Sequence, residues 1–248
     1  MKRIFFFILI ISSFFKIKAQ EIMVTGGFNM PLAPYETKDI LDSKNGRALN
    51  GFNFKIDYVF LKQTKLNFSL NALYFSNQYD IESIENQYNT VYAKKSKFIS
   101  IKPYTGVGFG GSILYYFTPL KNKIKGFSKI TLGQLFVNSP EYSQTDSLEY
   151  IKFLSLNSSN IFWNLGAGID IGVNSNLSII AYAEYFLSKV DFGSVKASNA
   201  AGQIATFPST KINEQEFGML NFNIGLSYKF YNQTDKLKQR KKTITPSF

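Results

Sequence analysis

Neither cysteine nor histidine occurs anywhere in the 248 residues. Without cysteine there is no disulfide framework and no thiolate chemistry. The two absences together remove the usual ligand sets for zinc and other transition metals. Lack of histidine also removes the commonest general base. Long apolar runs are equally scarce: after residue 20 no window approaches the ~18 consecutive apolar residues of a membrane-crossing helix. Helical 3.6-residue periodicity is hard to find. Aromatic residues, by contrast, are plentiful, with 25 Phe and 15 Tyr against one Trp, and two-residue alternation runs through most of the chain.

The chain begins Met1-Lys2-Arg3, then carries an apolar run from Ile4 to Phe15 and the segment Lys16-Ile17-Lys18-Ala19-Gln20. The run is too short to span a bilayer, which takes ~20 residues. It fits a secretory signal peptide over residues 1–20, with the small Ala19 before the cut; an uncleaved anchor or a buried helix is the alternative. The formal charge of +11 comes mostly from the two ends. Residues 21–230 hold 19 basic and 16 acidic side chains, a net of +3. The body therefore lacks the basic face that nucleic acid requires. Lys236, Lys238, Arg240, Lys241 and Lys242 lie in a terminal stretch, 231–248, that reads as a solvated basic tail.

The clearest alternation lies near the end. Leu220, Phe222, Ile224, Leu226, Tyr228 and Phe230 share one parity, and Asn221, Asn223, Gly225, Ser227 and Lys229 the other. A strand sends successive side chains to opposite faces, so this segment is apolar on one side and polar on the other. Seven more segments behave alike: 22–30, 52–60, 66–76, 98–117, 127–137, 161–173 and 177–187. The fourth reads as a double-length strand. The fifth is weakest, because Gln134 interrupts its apolar parity. The connectors alternate in length: 61–65, 118–126 and 174–176 are short, whereas 31–51, 77–97, 139–160 and 188–216 are long and polar. Short turns at one end, long loops at the other and an even strand count are the pattern of a transmembrane barrel. The expected fold is all-β: an eight-stranded antiparallel transmembrane β-barrel over 21–230, with short periplasmic turns and long extracellular loops.

A soluble eight-stranded barrel would share the alternation but place its apolar parity inside. Gly106, Gly108 and Gly110, with Gly166, Gly168 and Gly172, all fall on the polar parity. There they would relieve crowding in a lumen that eight strands leave barely wide enough to fill, which favours the transmembrane arrangement.

The pattern resembles the small outer-membrane β-barrel proteins of Gram-negative bacteria, the OmpA/OmpX-like families, over residues 21–230. Its most specific element is Asn223-Ile-Gly225-Leu-Ser-Tyr228-Lys-Phe230, similar to the terminal assembly signal of those families, with polar, glycine and two aromatic positions. The resemblance implies that the barrel assembly machinery reads Asn223, Gly225, Tyr228 and Phe230. The families often end at the final aromatic, whereas an 18-residue tail follows here. The Ala19-Gln20 junction and the Asn/Lys/Ile-rich composition resemble Bacteroidota members. Barrel enzymes of the outer membrane (lipid A deacylases and palmitoyl transferases, phospholipases, omptin-like proteases) rely on histidine, so the resemblance implies no enzyme here.

Gly106-Val-Gly108-Phe-Gly110-Gly111 matches the dinucleotide fingerprint letter by letter. That fingerprint needs a following helix, and Ser112-Ile-Leu-Tyr-Tyr-Phe117 continues a strand instead. Lys55, Asp57, Lys102, Asp170, Glu184 and Lys229 fall on the polar parity with mixed sign. They are expected to form a lumen salt-bridge network, since buried charges must be paired, and to leave no open pore. Tyr79, Tyr88, Tyr92, Tyr142 and Tyr150 in the long connectors serve either a binding surface or packing within loop tips. The expectation is a monomeric, exported outer-membrane protein, embedded in lipid and needing neither cofactor nor metal. Its role would be envelope-structural or surface contact; a narrow porin, or an accessory of a secretion or adhesion complex, are the alternatives.

Overall fold

Eight long strands close on themselves. They are β1 (Glu21–Leu32), β2 (Ala48–Lys62), β3 (Leu66–Tyr79), β5 (Tyr104–Tyr116), β6 (Ile124–Asn138), β9 (Asn157–Gly172), β10 (Leu177–Asp191) and β13 (Glu214–Lys229). Their order around the barrel is β1-β13-β10-β9-β6-β5-β3-β2, every pair antiparallel, with β1 closing on β13 from Glu21↔Lys229 to Leu32↔Gly218. The structure, a computed structural model, describes residues 21–36, 46–62, 65–93, 95–117, 123–146, 149–207 and 214–230. The expected signal segment 1–20 and basic tail 231–248 lie outside the described residues.

Closure leaves no barrel edge unpaired, the condition for strands to cross hydrocarbon. Parity places the side chains as the sequence predicts. Phe52, Phe54 and Ile56 stand outside, and Asn53, Lys55 and Asp57 are buried inside. On β13, Phe222, Ile224 and Leu226 are exposed while Asn221, Asn223 and Ser227 are buried. The outward apolar stretch from Leu220 to Phe230 runs roughly 33 Å along the strand at ~3.3 Å per residue. A tilt of ~40° projects this to about 25 Å, the height of a transmembrane apolar band. Gln134 is the exception on that band, exposed among Leu132 and Phe136.

The short-turn end is held by local chemistry. Asn174 Oδ1 accepts from the backbone of Asn176 at 2.9 Å and Leu177 at 2.8 Å, while Asn176 Nδ2 donates to the Lys229 carbonyl at 3.1 Å. These bonds fix the β9–β10 turn against the last barrel strand.

At the opposite end the chain departs from expectation. Residues 98–117 are two strands: β4 (Lys97–Lys102) leaves the barrel, and β5 enters it after Pro103. Proline has no N–H for a ladder and bends the strand that contains it. Pro140 breaks the neighbouring strand in the same way, between β6 and β7 (Glu141–Thr145). Beyond these breaks β4, β7, β8 (Tyr150–Phe153), β11 (Val195–Asn199) and β12 (Ile204–Phe207) form a second sheet in the order β12-β11-β8-β7-β4. Three of the long connectors are thus partly strand. Because β4, β7, β8 and β11 prolong β5, β6, β9 and β10, the sheet continues one half of the barrel wall upward. A helix, α1 (Ile81–Tyr92), shares the β3–β5 connector with β4; Asp80 caps it by accepting from Ser83 N at 3.0 Å.

Candidate functional site

The lumen is filled in layers. Nearest the long-connector end lies an apolar layer that includes Tyr35, Leu73, Phe75, Phe162, Phe186 and Phe217, all buried. Tyr35 dips into the barrel mouth, its ring 4.6 Å from Phe217 and 5.3 Å from Tyr104. Phe162 stacks on Phe186 at 5.5 Å. The inward glycines make room for these rings: a Cβ on Gly108 would approach Leu73 and Phe162 to 3.0 Å, and one on Gly106 would clash with the Phe75 ring at its Cε1. A second apolar layer, with Met23, Leu114, Phe127 and Ile180 among its members, sits toward the short turns.

Between them lies the polar layer. Lys129 Nζ donates to both Asp57 oxygens, at 2.8 and 2.6 Å, and Ser69 Oγ donates to the same carboxylate at 3.3 Å. Lys55 pairs with Glu184, whose Oε1 also accepts from Asn221 at 3.2 Å and Asn164 at 3.4 Å. All four charged side chains are essentially excluded from solvent, and their signs cancel. Lys229 Nζ lies 3.6 Å from Asp170 nearer the short-turn end and donates to Ser178 Oγ at 3.0 Å.

The structure therefore brings Lys55, Asp57 and Glu184 together and pairs Asp170 with Lys229. It removes Lys102 from the lumen. Lys102 ends β4 outside the barrel, its side chain 62% exposed and bonded to Glu141 at 2.8 Å. The cause is the Pro103 break and a register shift between Ser100 and Lys102, which end the barrel parity before that residue. Besides Glu21, buried at the start of β1, the lumen charge that sequence reasoning missed is Lys129. Its inward parity with Thr131 and Gly133 was the available signal, obscured by Gln134. Of the terminal residues, Asn223 is buried inside and Gly225 packs on Val24 and Thr25 of β1. Tyr228 and Phe230 stand outside, edge to face at 5.3 Å.

The second sheet has two unlike faces. Phe98, Tyr142, Phe153 and Ala197 share one face. It packs inward: Phe98 meets Tyr88 of α1 at 5.4 Å, and Tyr142 meets Phe153 at 4.7 Å and Tyr79 at 5.5 Å. Tyr79 in turn touches Tyr104 inside the barrel mouth at 5.9 Å. Most of the connector tyrosines are thus packing residues, while Tyr92 and Tyr150 remain exposed. The opposite, outward face carries every charge of the five strands: Lys97, Lys102, Lys152 and Lys196 against Glu141 alone.

Glu141 accepts from Lys102 at 2.8 Å and lies 2.9 Å from Lys152. Hydrogen bonds from these two ammonium groups, Lys102 first, hold its carboxyl below the usual range. The folded sheet binds that proton more weakly than the unfolded chain, so the pairing contributes above the ordinary carboxylate pKa and is lost as pH falls through the depressed one. A spin label at Thr145 is accordingly expected to gain mobility as pH drops below the ordinary glutamate range. Glu141→Gln should show that mobility already at neutral pH; a pH-independent spectrum in both proteins would refute the coupling.

A sealed lumen, with ion pairs between two apolar layers, inside an apolar belt of bilayer height defines a transmembrane β-barrel of the outer-membrane kind. No protein-family model matches the chain, and no curated protein matches it in sequence. Among solved structures it is similar to a major outer membrane protein from Thermus thermophilus, with TM-score 0.52 and 14% identity, covering 86% of this chain and 100% of that one. It is also similar to Neisserial surface protein A (TM-score 0.45, 13% identity, 85% and 96% covered). The outer membrane protease OmpT of Escherichia coli aligns at TM-score 0.40 and 11% identity, covering 85% and 94%. At such identities the likeness concerns the fold, and the Thermus protein carries it.

Proposed function

We propose that this is a non-enzymatic integral protein of the bacterial outer membrane, a sealed barrel that holds a rigid sheet at the cell surface for envelope integrity or surface contact. The observation that carries this reading is the division of labour in the wall. The lumen is packed with ion pairs and rings, while half of the strands continue past the apolar belt. Short turns and both described chain ends lie at the periplasmic side, and the sheet lies outside the cell. The lumen carboxylates Asp57 and Glu184 are each committed to a lysine, and the chain contains no histidine to act as base. Both features support a structural rather than a catalytic interior. The barrel assembly machinery reads the last strand through Asn223, Gly225, Tyr228 and Phe230.

Two measurements on the purified protein test the reading. In unboiled gels the membrane-fraction protein is expected to migrate faster than after boiling, as a folded barrel does. In planar bilayers it is expected to give no steady current; sustained conductance would replace this proposal with a porin. Replacing residues 141–153 by a short Gly-Ser turn should preserve heat-modifiability while abolishing surface contact.

A further inference from the structure

A groove of ≈ 580 Å³ lies on the outside of the barrel wall, where β3, β5, β6 and β9 reach the top of the apolar belt. That volume falls within the ~300–1,000 Å³ of small-molecule sites. Its lining changes polarity over one pleat. Tyr74, Val107 and Phe136 are direct register neighbours and form the lower row. Two residues further along each strand, Thr105, Asn138 and Asn157 are likewise register neighbours and form the upper row. Asn138 Nδ2 donates to Thr105 Oγ1 at 3.1 Å, which leaves acceptors and a second amide hydrogen facing outward. About 7 Å separates the rows at strand spacing.

Directly above, past the Pro103 and Pro140 breaks, β4 and β7 bring up Lys102 and Glu141, with Lys152 beside them. Lys102 is three residues from Thr105, and Glu141 three from Asn138. An ammonium group has three donors, and Lys102 spends one on Glu141. The cluster keeps a net positive charge, reinforced on the same face by Lys97 and Lys196.

From the membrane outward the order is therefore apolar, then amide and hydroxyl, then cationic. An anionic lipid presents the same order: acyl chain, ester or sugar oxygens, phosphate. We propose that the groove holds one anionic, phosphate-bearing lipid of the outer leaflet, its chain against Tyr74, Val107 and Phe136 and its head on Lys102 and Lys152. The half of the wall that carries the second sheet is thereby anchored to the leaflet at headgroup height. This rests on the outer-membrane placement proposed above.

Native mass spectrometry of the full protein, released from micelles doped with phosphatidylglycerol or with phosphatidylcholine, tests it. One phosphatidylglycerol is expected to stay bound where phosphatidylcholine does not. Lys102→Gln with Lys152→Gln should weaken that retention on the order of tenfold, as expected for two cations beside an anionic head. Val107→Trp, which fills the floor from the lipid side, should remove it by occupying the chain site. Equal retention of both lipids, or retention unchanged in the lysine variant, overturns the proposal. Heat-modifiability and membrane fractionation of the same variants separate the outcomes. A barrel that folds normally in the outer membrane but holds no lipid refutes the lipid site alone; a barrel absent from that membrane refutes the placement.

Discussion

Glu184→Ala is expected to destabilise the barrel by about 3–5 kcal/mol, the usual cost of removing one partner of a buried ion pair. Glu184 is the sole carboxylate paired with Lys55 among the described residues, and it also anchors Asn164 and Asn221. Its loss leaves an ammonium group sealed between two apolar layers, with Lys129 already committed to Asp57. The double replacement Lys55→Met with Glu184→Leu removes both desolvated charges and should recover most of that loss, since apolar substitutes for a buried pair are often neutral or better. Denaturant midpoints in detergent, compared across the cycle of single and double variants, measure the coupling. A Glu184→Ala protein within 1 kcal/mol of wild type (about fivefold in the folding equilibrium), with no recovery in the double variant, would contradict the lumen described above.

Phe75→Ala should cost a similar amount, about 3–5 kcal/mol for a large-to-small change in a packed layer. Phe75 lies 5.8 Å from Phe186 and 6.1 Å from Phe217. It also covers Gly106, its register partner on β5, as an aromatic covers a glycine across a strand pair. That geometry makes the site reciprocal. Gly106→Leu alone should block insertion of the ring and fail to fold, whereas Phe75→Ala with Gly106→Leu should regain part of the lost stability. Unboiled gels and denaturant titrations read both effects. Conductance should stay absent in Phe75→Ala, because Tyr35 and Phe162 remain in the same layer and the Lys129–Asp57 pair closes the next one. A steady current in that single variant would show the ring layer to be the whole seal.

Alternation alone made the barrel legible. Most barrel strands begin and end within a few residues of the segment their parity marks, though β5 starts at Tyr104, well inside 98–117. The glycine-rich stretch 106–111 is strand in β5, as its continuation through Ser112–Phe117 implies. The lumen was legible in kind but not in depth. Parity states that Leu73, Phe75, Tyr182 and Phe186 face the same side as Asn71 and Glu184; it does not state that rings gather at two levels and charges between them. That sorting depends on the stagger between strands, which brings residues far apart in sequence to one height. Lys129 was lost for a local reason, a polar Gln134 on the lipid side of an otherwise regular strand. The second sheet escaped because its strands are four to six residues long, too short for alternation to stand out. Pro103 hid within a run whose flanks both alternate. A proline there marks the end of the barrel rather than a blemish in one long strand.

The half-wall that rises past the belt has a mechanical corollary. Four of its five staves prolong those of the cylinder beneath, two of them bent at prolines, so whatever grips the outward lysines is held at a set altitude and compass bearing relative to the bilayer. At ~3.3 Å per residue the β7–β8 hairpin carries its tip roughly 15 Å above the rim. A fluorophore placed at Tyr150, the exposed first residue of β8, would thus work as a ruler, reporting one distance from lipid dyes rather than a broad spread.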